Sequence, residues 1–281
     1  MKRLLVLLGV AGVSLSAVFV RWSTAPSLVL ALYRMAFSAL LLLPLAFARR
    51  AEFRDLGRRE LFLSLVSGAF LGAHFACYFE SLRWTSIAAA VVLVDAEVLF
   101  VALASVLLFR KKLGGRAWLA VLLAFGGSVV VALADASGAG ALRGNLLALA
   151  GAVCMAVYTM LGAVCRRRLS TTVYTTLVYS AAAAAVLAAA LAGGQPLMGW
   201  GPVNLLAGLG MAVFCTLLGH SVFSWGLKYL PPAFISTAKL LEPVFASVWG
   251  LFLFKERPGG LVVLGGAAIL LGIGLYSREE A

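Results

Sequence analysis

Apolar residues in this chain come in long runs separated by short polar breaks. The runs approach the roughly 20 residues that a helix needs to cross a bilayer. They predict helices at about 4–21, 28–48, 61–82, 85–109, 117–135, 145–165, 170–192, 203–227, 231–254 and 260–276. The breaks hold helix-stopping or charged residues, as at Ser23 to Pro26, Arg49 to Arg59, Gly193 to Pro202 and Lys255 to Pro258. The expectation is an all-α integral membrane protein with ten transmembrane helices.

The pattern also repeats itself. Residues 82–127 shifted by 145 positions fall on 227–272 without a gap, so that Leu82, Ala88, Glu97, Phe100, Gly114, Gly115 and Gly127 meet Leu227, Ala233, Glu242, Phe245, Gly259, Gly260 and Gly272. A weaker match sets Leu4, Leu5, Leu7 and Gly9 on Leu146, Leu147, Leu149 and Gly151. The chain thus reads as a duplicated five-helix unit, with the first copy at 1–136 and the second at 145–276. Internal duplication in so apolar a chain is a transporter pattern.

Composition agrees with a bilayer as solvent. Hydrophobic residues make up 63% of the 281, charged residues only 12%, and mean hydropathy is +1.04. A soluble domain carries about 25% charge. The formal charge of +12 does not mark a nucleic-acid partner, because the basic residues sit in clusters between apolar runs. They read instead as charges retained on the cytoplasmic side. With the N-terminus inside, inner segments carry 16 Lys and Arg (Lys2, Arg3, the stretches 49–59, 110–116 and 166–168, Lys228, Arg278), against five outside (Arg21, Arg83, Arg143, Lys255, Arg257). Both termini are therefore expected in the cytoplasm, with the chain multi-pass in the plasma (inner) membrane. Five helices per copy is an odd number, so the second copy enters the membrane upside down. Charge agrees, since the 49–59 loop has five basic residues and its counterpart at 193–202 has none. The apolar start resembles a secretory signal, but its counterpart at 146–165 cannot be one, so it is read as the first membrane helix. Cys77, Cys154, Cys165 and Cys215 lie in or beside apolar runs without metal-ligand spacing.

Leu241-Glu242-Pro243-Val244-Phe245, then Phe254-Lys255-Glu256-Arg257 and a Gly-rich last helix reaching Gly272 and Gly274, resemble the drug/metabolite transporter superfamily. The match is to proteins with two EamA-type units. The first half matches through Trp84 to Ala89, Phe100 and the Gly114-Gly115 turn. The resemblance implies a ten-helix carrier with a central cavity that works by alternating access and exports amino acids or other small metabolites. It also implies a proline where Val98 stands and an acid where Lys111 stands. Because Val98 keeps the amide hydrogen that Pro243 lacks, the helix at 85–109 is expected to be straighter than its partner at 231–254.

A charge at mid-bilayer costs at least about 2.5–3.5 kcal/mol, so each needs a partner, water or a task. The deep candidates are Arg34, His74, Asp95, Glu97, His220, Lys239 and Glu242, while Glu80 reads as a structural partner of Arg83. Glu97 and Glu242 are equivalent in the repeat, which places them about a pseudo-two-fold axis near the midplane. Lys239, three residues before Glu242, shares its helix face and is expected to neutralise it. Asp95 and Glu97 stand about 200° apart on a continuous helix, so one of them is expected to meet a neighbouring helix rather than the cavity. Arg34 reads as a salt-bridge partner for an acid on another helix. Tyr78 and Tyr158 are the aromatic cavity candidates, because a phenol in lipid lacks a partner. Trp22, Trp84, Trp118, Trp200, Tyr229 and Tyr276 read as interface anchors. Gly68 and Gly72, and the glycines of the last helix, read as close-packing positions.

A cavity holding Lys239 and carboxylates suits a zwitterion, so an amino-acid exporter is the leading reading, with protons as a coupling ion and the chain acting as monomer or homodimer. The sequence has no Gly-x-x-x-x-Gly-Lys-Ser/Thr loop, so ATP does not drive it directly. A drug or other-metabolite carrier of the same superfamily is the near alternative. A polytopic membrane enzyme or an accessory subunit is the distant one, because the loops are short and poor in His. No catalytic residue, metal or cofactor is expected.

Overall fold

The computed structural model describes residues 2–85, 87–109, 114–133, 141–255 and 259–279. The basic cluster at 110–112, which includes Lys111, and Glu256 and Arg257 of the superfamily motif lie outside the described residues. Every regular element among the described residues is helical.

Each of the ten apolar runs corresponds to one helix or to helical segments that abut. In the first half α1 (Lys2–Ser14) and α2 (Ser16–Trp22) meet at Leu15, and α3 (Ser27–Ala48) follows. A short loop helix that the hydropathy pattern does not predict, α4 (Arg50–Arg54), leads to α5 (Arg58–Ser81). Next come α6 (Ile87–Asp95), α7 (Glu97–Phe109) and α8 (Gly115–Leu133). The second half runs through α9 (Ala141–Cys165), α10 (Thr171–Ala192), α11 (Pro202–Gly210), a π-helical segment Met211–His220, and α12 (Ser221–Gly226). It ends with α13 (Pro232–Lys239), α14 (Glu242–Phe254) and α15 (Gly260–Glu279). Local chemistry sets several starts. Pro202 and Pro232 occupy first helical positions, where the missing amide hydrogen costs nothing. Ser170 caps α10 by accepting from the Val173 amide at 3.3 Å.

Six stretches among the described residues are long and apolar enough to cross a membrane: Lys2–Val20, Ser27–Ala48, Arg58–Ser81, Leu142–Cys165, Thr171–Ala192 and Pro202–Gly226. The rest of the bundle is made of shorter apolar helices and of the two pairs that break. Large side chains such as Leu43, Phe47, Phe62, Leu206, Phe252 and Leu271 stay more than half exposed. On a soluble protein this surface would drive aggregation; in a bilayer it is the lipid face.

Contacts between the halves come in equivalent sets. α3 packs on its counterpart α10, and α8 on its counterpart α15. α5 packs on α9, and the equivalent pair, 202–226 on α1, is also in contact. α7 packs against α13, so the two broken helices touch at the centre. This is the arrangement of an inverted pair of five-helix repeats. Glycines permit the closest crossings. A Cβ at Gly68 would stand 2.4 Å from Val178 O on α10, and one at Gly272 would stand 2.7 Å from Ala120 O on α8. Gly274 faces open space, so its role is not packing.

Two expectations are corrected here. Tyr276 is no interface anchor: it is fully buried beside Phe234, with ring centroids 6.5 Å apart. The helix at 85–109 is not continuous, for it breaks at Ala96 as its partner breaks at Leu240 and Leu241. Tight turns span both breaks: the Leu99 amide donates to Ala96 O (3.0 Å), and those of Leu240 and Leu241 to Thr237 O and Ala238 O (both 3.1 Å). Proline is therefore not what breaks the first copy. Its break lets two charges share one cavity, and lost hydrogen bonds worth about 1 kcal/mol net each are a smaller cost than a carboxylate left in apolar surroundings.

Candidate functional site

The breaks meet around a cavity lined by Arg34, His74, Tyr78, Asp95, Glu97, His220, Lys239 and Glu242, together with Val13, Ser16, Phe75, Val91, Val94, Met155 and Phe223. Of the candidates read from sequence, only Tyr158 is absent from the lining. It sits behind His220, with ring centroids 6.2 Å apart, and its hydroxyl is 3.0 Å from Ser224 Oγ.

The central contact is a buried ion pair. Lys239 Nζ donates to Glu97 Oε1 at 2.7 Å, and both side chains are more than nine-tenths buried. This replaces the expected pairing of Lys239 with Glu242. α13 ends at Lys239 and α14 begins at Glu242, so the helical geometry that would set the two on one face is interrupted. The helix ends favour these charges, because partial positive charge gathers at an N-terminus and negative charge at a C-terminus. Glu97 opens α7, Glu242 opens α14 and Lys239 closes α13. Only Asp95, the last residue of α6, sits where the dipole opposes its charge. Asp95 and Glu97 both reach the cavity, contrary to the expectation that one would turn away, because Ala96 is not helical.

Among the described residues Arg34 makes no salt bridge of the kind expected. Nε donates to Thr216 Oγ1 (2.9 Å), one terminal nitrogen donates to Ser16 Oγ (3.3 Å), and the guanidinium lies 4.1 Å from the centre of the Phe75 ring. Its other terminal nitrogen has no partner among the described residues. The same holds for Asp95 Oδ2, Glu97 Oε2, Tyr78 Oη and His220 Nδ1, and all five residues are at most 5% exposed. An orphaned buried polar group costs about 1–3 kcal/mol, so five around one cavity mark a place built for a polar occupant. His74 is more settled: its Nδ1 lies 3.0 Å from Gly151 O. A carbonyl only accepts, so Nδ1 carries the hydrogen, and in the neutral ring Nε2 is the acceptor.

The cavity measures about 30 Å³. At roughly 10–15 Å³ per water it has room for about two waters. A metabolite enters only if the bundle opens.

Sequence reasoning missed Ser16 and Thr216, which hold Arg34. The available signal was spacing, since Thr216 precedes the candidate His220 by four residues and shares its helix side. It also missed Arg166, read as one more loop charge. Arg166 is buried, donating to Ser224 O (2.8 Å), Thr171 Oγ1 (2.6 Å) and Leu169 O. It ties the turn before α10 to α12. Glu80 does stand by Arg83, at 3.9 Å, and accepts from Trp84 Nε1 at 2.9 Å.

An apolar-sheathed helical bundle, with opposed half-helices around a charged central cavity, defines a multi-pass membrane transporter fold. The EamA-like transporter family model matches the chain twice, over residues 2–133 and 142–278, and the chain belongs to that family. An uncharacterized transporter of Archaeoglobus fulgidus is 22% identical over 89% of this chain and 88% of its own length. An uncharacterized transporter of Synechocystis sp. is 26% identical over 78% and 71%. A solved crystal structure of a protein 18% identical to this chain shares the fold, with a TM-score of 0.83 over 99% of this chain and 97% of that one. The protein is a transporter and not an enzyme.

Proposed function

We propose that this transporter exports small zwitterionic metabolites, amino acids first among them, across the plasma membrane by alternating access. One observation supports the reading: among the described residues, a guanidinium nitrogen of Arg34 and carboxylate oxygens of Asp95 and Glu97 lack partners, and all three residues line one cavity. A carboxylate suits the first and an ammonium the second. Arg34 takes the role that the sequence assigned to Lys239, because Lys239 is already engaged by Glu97. The inside bias of Lys and Arg supports cytoplasmic termini, and the ionisable groups of the cavity support a proton as coupling ion.

The test is counterflow in vesicles containing the purified full-length protein. Vesicles preloaded with unlabelled amino acids are expected to accumulate labelled amino acid, and Arg34→Ala, if it still folds, to lose most of that uptake. An imposed pH gradient is expected to change the rate. Exchange of aromatic organic cations with no exchange of amino acids would overturn the reading in favour of a drug carrier.

A further inference from the structure

We propose that the preferred cargo is a diamino acid, carrying one carboxylate and two cationic groups, rather than a neutral amino acid. The inference rests on the zwitterion reading and narrows it. The cavity carries five ionic side chains. Lys239 and Glu97 neutralise each other at 2.7 Å. That leaves one cation, Arg34, and two carboxylates, Asp95 and Glu242, on the cavity wall. The complement of one guanidinium and two carboxylates is one anionic group and two cationic ones.

Two of the groups left over, Arg34 and Asp95, also keep unpartnered buried atoms among the described residues. Arg34 spends two nitrogens on Thr216 and Ser16 and keeps the third free, with its plane fixed on Phe75. It is pre-organised to receive a carboxylate through that nitrogen. Asp95 Oδ2 is buried without a partner among the described residues. Asp95 and Glu242 both line the cavity. They also arise from different halves, Asp95 at the end of α6 and Glu242 at the start of α14, so they present two points of attachment. Glu242 lies within electrostatic reach of Arg34, Lys239 and Asp95. An α-amino acid with a second amine on its side chain places its charges in this set: the carboxylate at Arg34, one ammonium at each acid. His74 and His220 border the same space; with His74 Nδ1–H committed to Gly151 O, its Nε2 offers an acceptor to a cargo ammonium.

The experiment is competition in the same counterflow assay with wild-type protein, using labelled L-lysine and unlabelled L-ornithine, L-alanine, L-leucine, L-glutamate and cadaverine. L-Ornithine is expected to compete at least tenfold better than L-alanine, L-leucine or L-glutamate. Cadaverine, which has both amines and no carboxylate for Arg34, is expected to fall at least tenfold below L-ornithine. Asp95→Asn is expected to shrink the preference for L-ornithine over L-alanine to less than threefold. Wild-type competition alone decides the matter if that variant does not fold. Exchange in which neutral amino acids compete as well as L-ornithine overturns the diamino preference and leaves amino-acid transport standing, the missing positive charge then being a proton. Vesicles that exchange no amino acid of any charge overturn both readings.

Discussion

At the scale of single residues the ion pair between Lys239 and Glu97 decides most. Two charges withdrawn from water each cost several kcal/mol, and only close geometry and additional hydrogen bonds offset that. Here the distance is 2.7 Å, yet Glu97 Oε2 has no partner among the described residues. The pair is thus poorly placed as a stabilising element and well placed as a functional one. Glu97→Gln strands the Lys239 ammonium and is expected to destabilise the protein by about 3–5 kcal/mol. The double variant Glu97→Leu with Lys239→Met is expected to recover most of that loss. Thermal unfolding in detergent of the wild type, Glu97→Leu, Lys239→Met and the double variant measures the coupling, and strictly additive losses would show that the pair contributes nothing jointly. The sequence made both charges visible as expensive mid-membrane residues. It did not make the pair visible, because pairing by spacing assumes an unbroken helix and the break lies between Lys239 and Glu242. Ser16 was hidden for another reason: nothing in a hydroxyl residue within an apolar run says that a guanidinium from another helix will reach it, and for Thr216 the spacing to His220 was the one clue.

At the scale of elements the broken helices govern the site. Nearly every helix was legible, because apolar runs of this length have one solution in lipid: a segment that satisfies its own backbone. The breaks were half legible. Pro243 announced the second, but Val98 announced nothing, and the first break follows from where Asp95 and Glu97 have to point. The π-helical segment Met211–His220 left no mark in the sequence either. Such segments recur at functional sites, and this one carries both Thr216 and His220 to the cavity side. The break at Ala96 makes a specific claim about proline. Val98 lies in the first turn of α7, where backbone amides have no partner inside the helix. Val98→Pro is therefore expected to shift stability by no more than about 1 kcal/mol. Leu103→Pro, in the middle of the same helix, is expected to cost about 3 kcal/mol or more. Melting temperature and folded yield report both. A Val98→Pro variant as damaged as Leu103→Pro would mean that the helix runs unbroken through Ala96.

At the scale of the whole molecule, what matters is that an odd number of crossings per copy turns one copy over. Each pairing of α3 with α10 or α8 with α15 then joins an element to its own inverted image, and the half-helices meet at the centre from opposite sides. A cavity built this way can be offered to either face by the same rearrangement run in mirrored halves, which is why the fold suits a carrier. The inversion has a consequence that needs no substrate. On the proposed topology the loop at 49–59 and its counterpart at 193–202 are expected on opposite sides, with the basic one in the cytoplasm. Arg54 and Met198 are both exposed, while Cys165 and Cys215 are buried and Cys77 and Cys154 are partly buried. Single cysteines at these two exposed positions, in a background lacking the native four, are thus well suited to an impermeant maleimide. Met198→Cys is expected to label in intact cells, and Arg54→Cys only after the membrane is opened. The reverse pattern would turn the protein over while keeping its halves opposed. Labelling of both from one side would show that the copies run in the same sense.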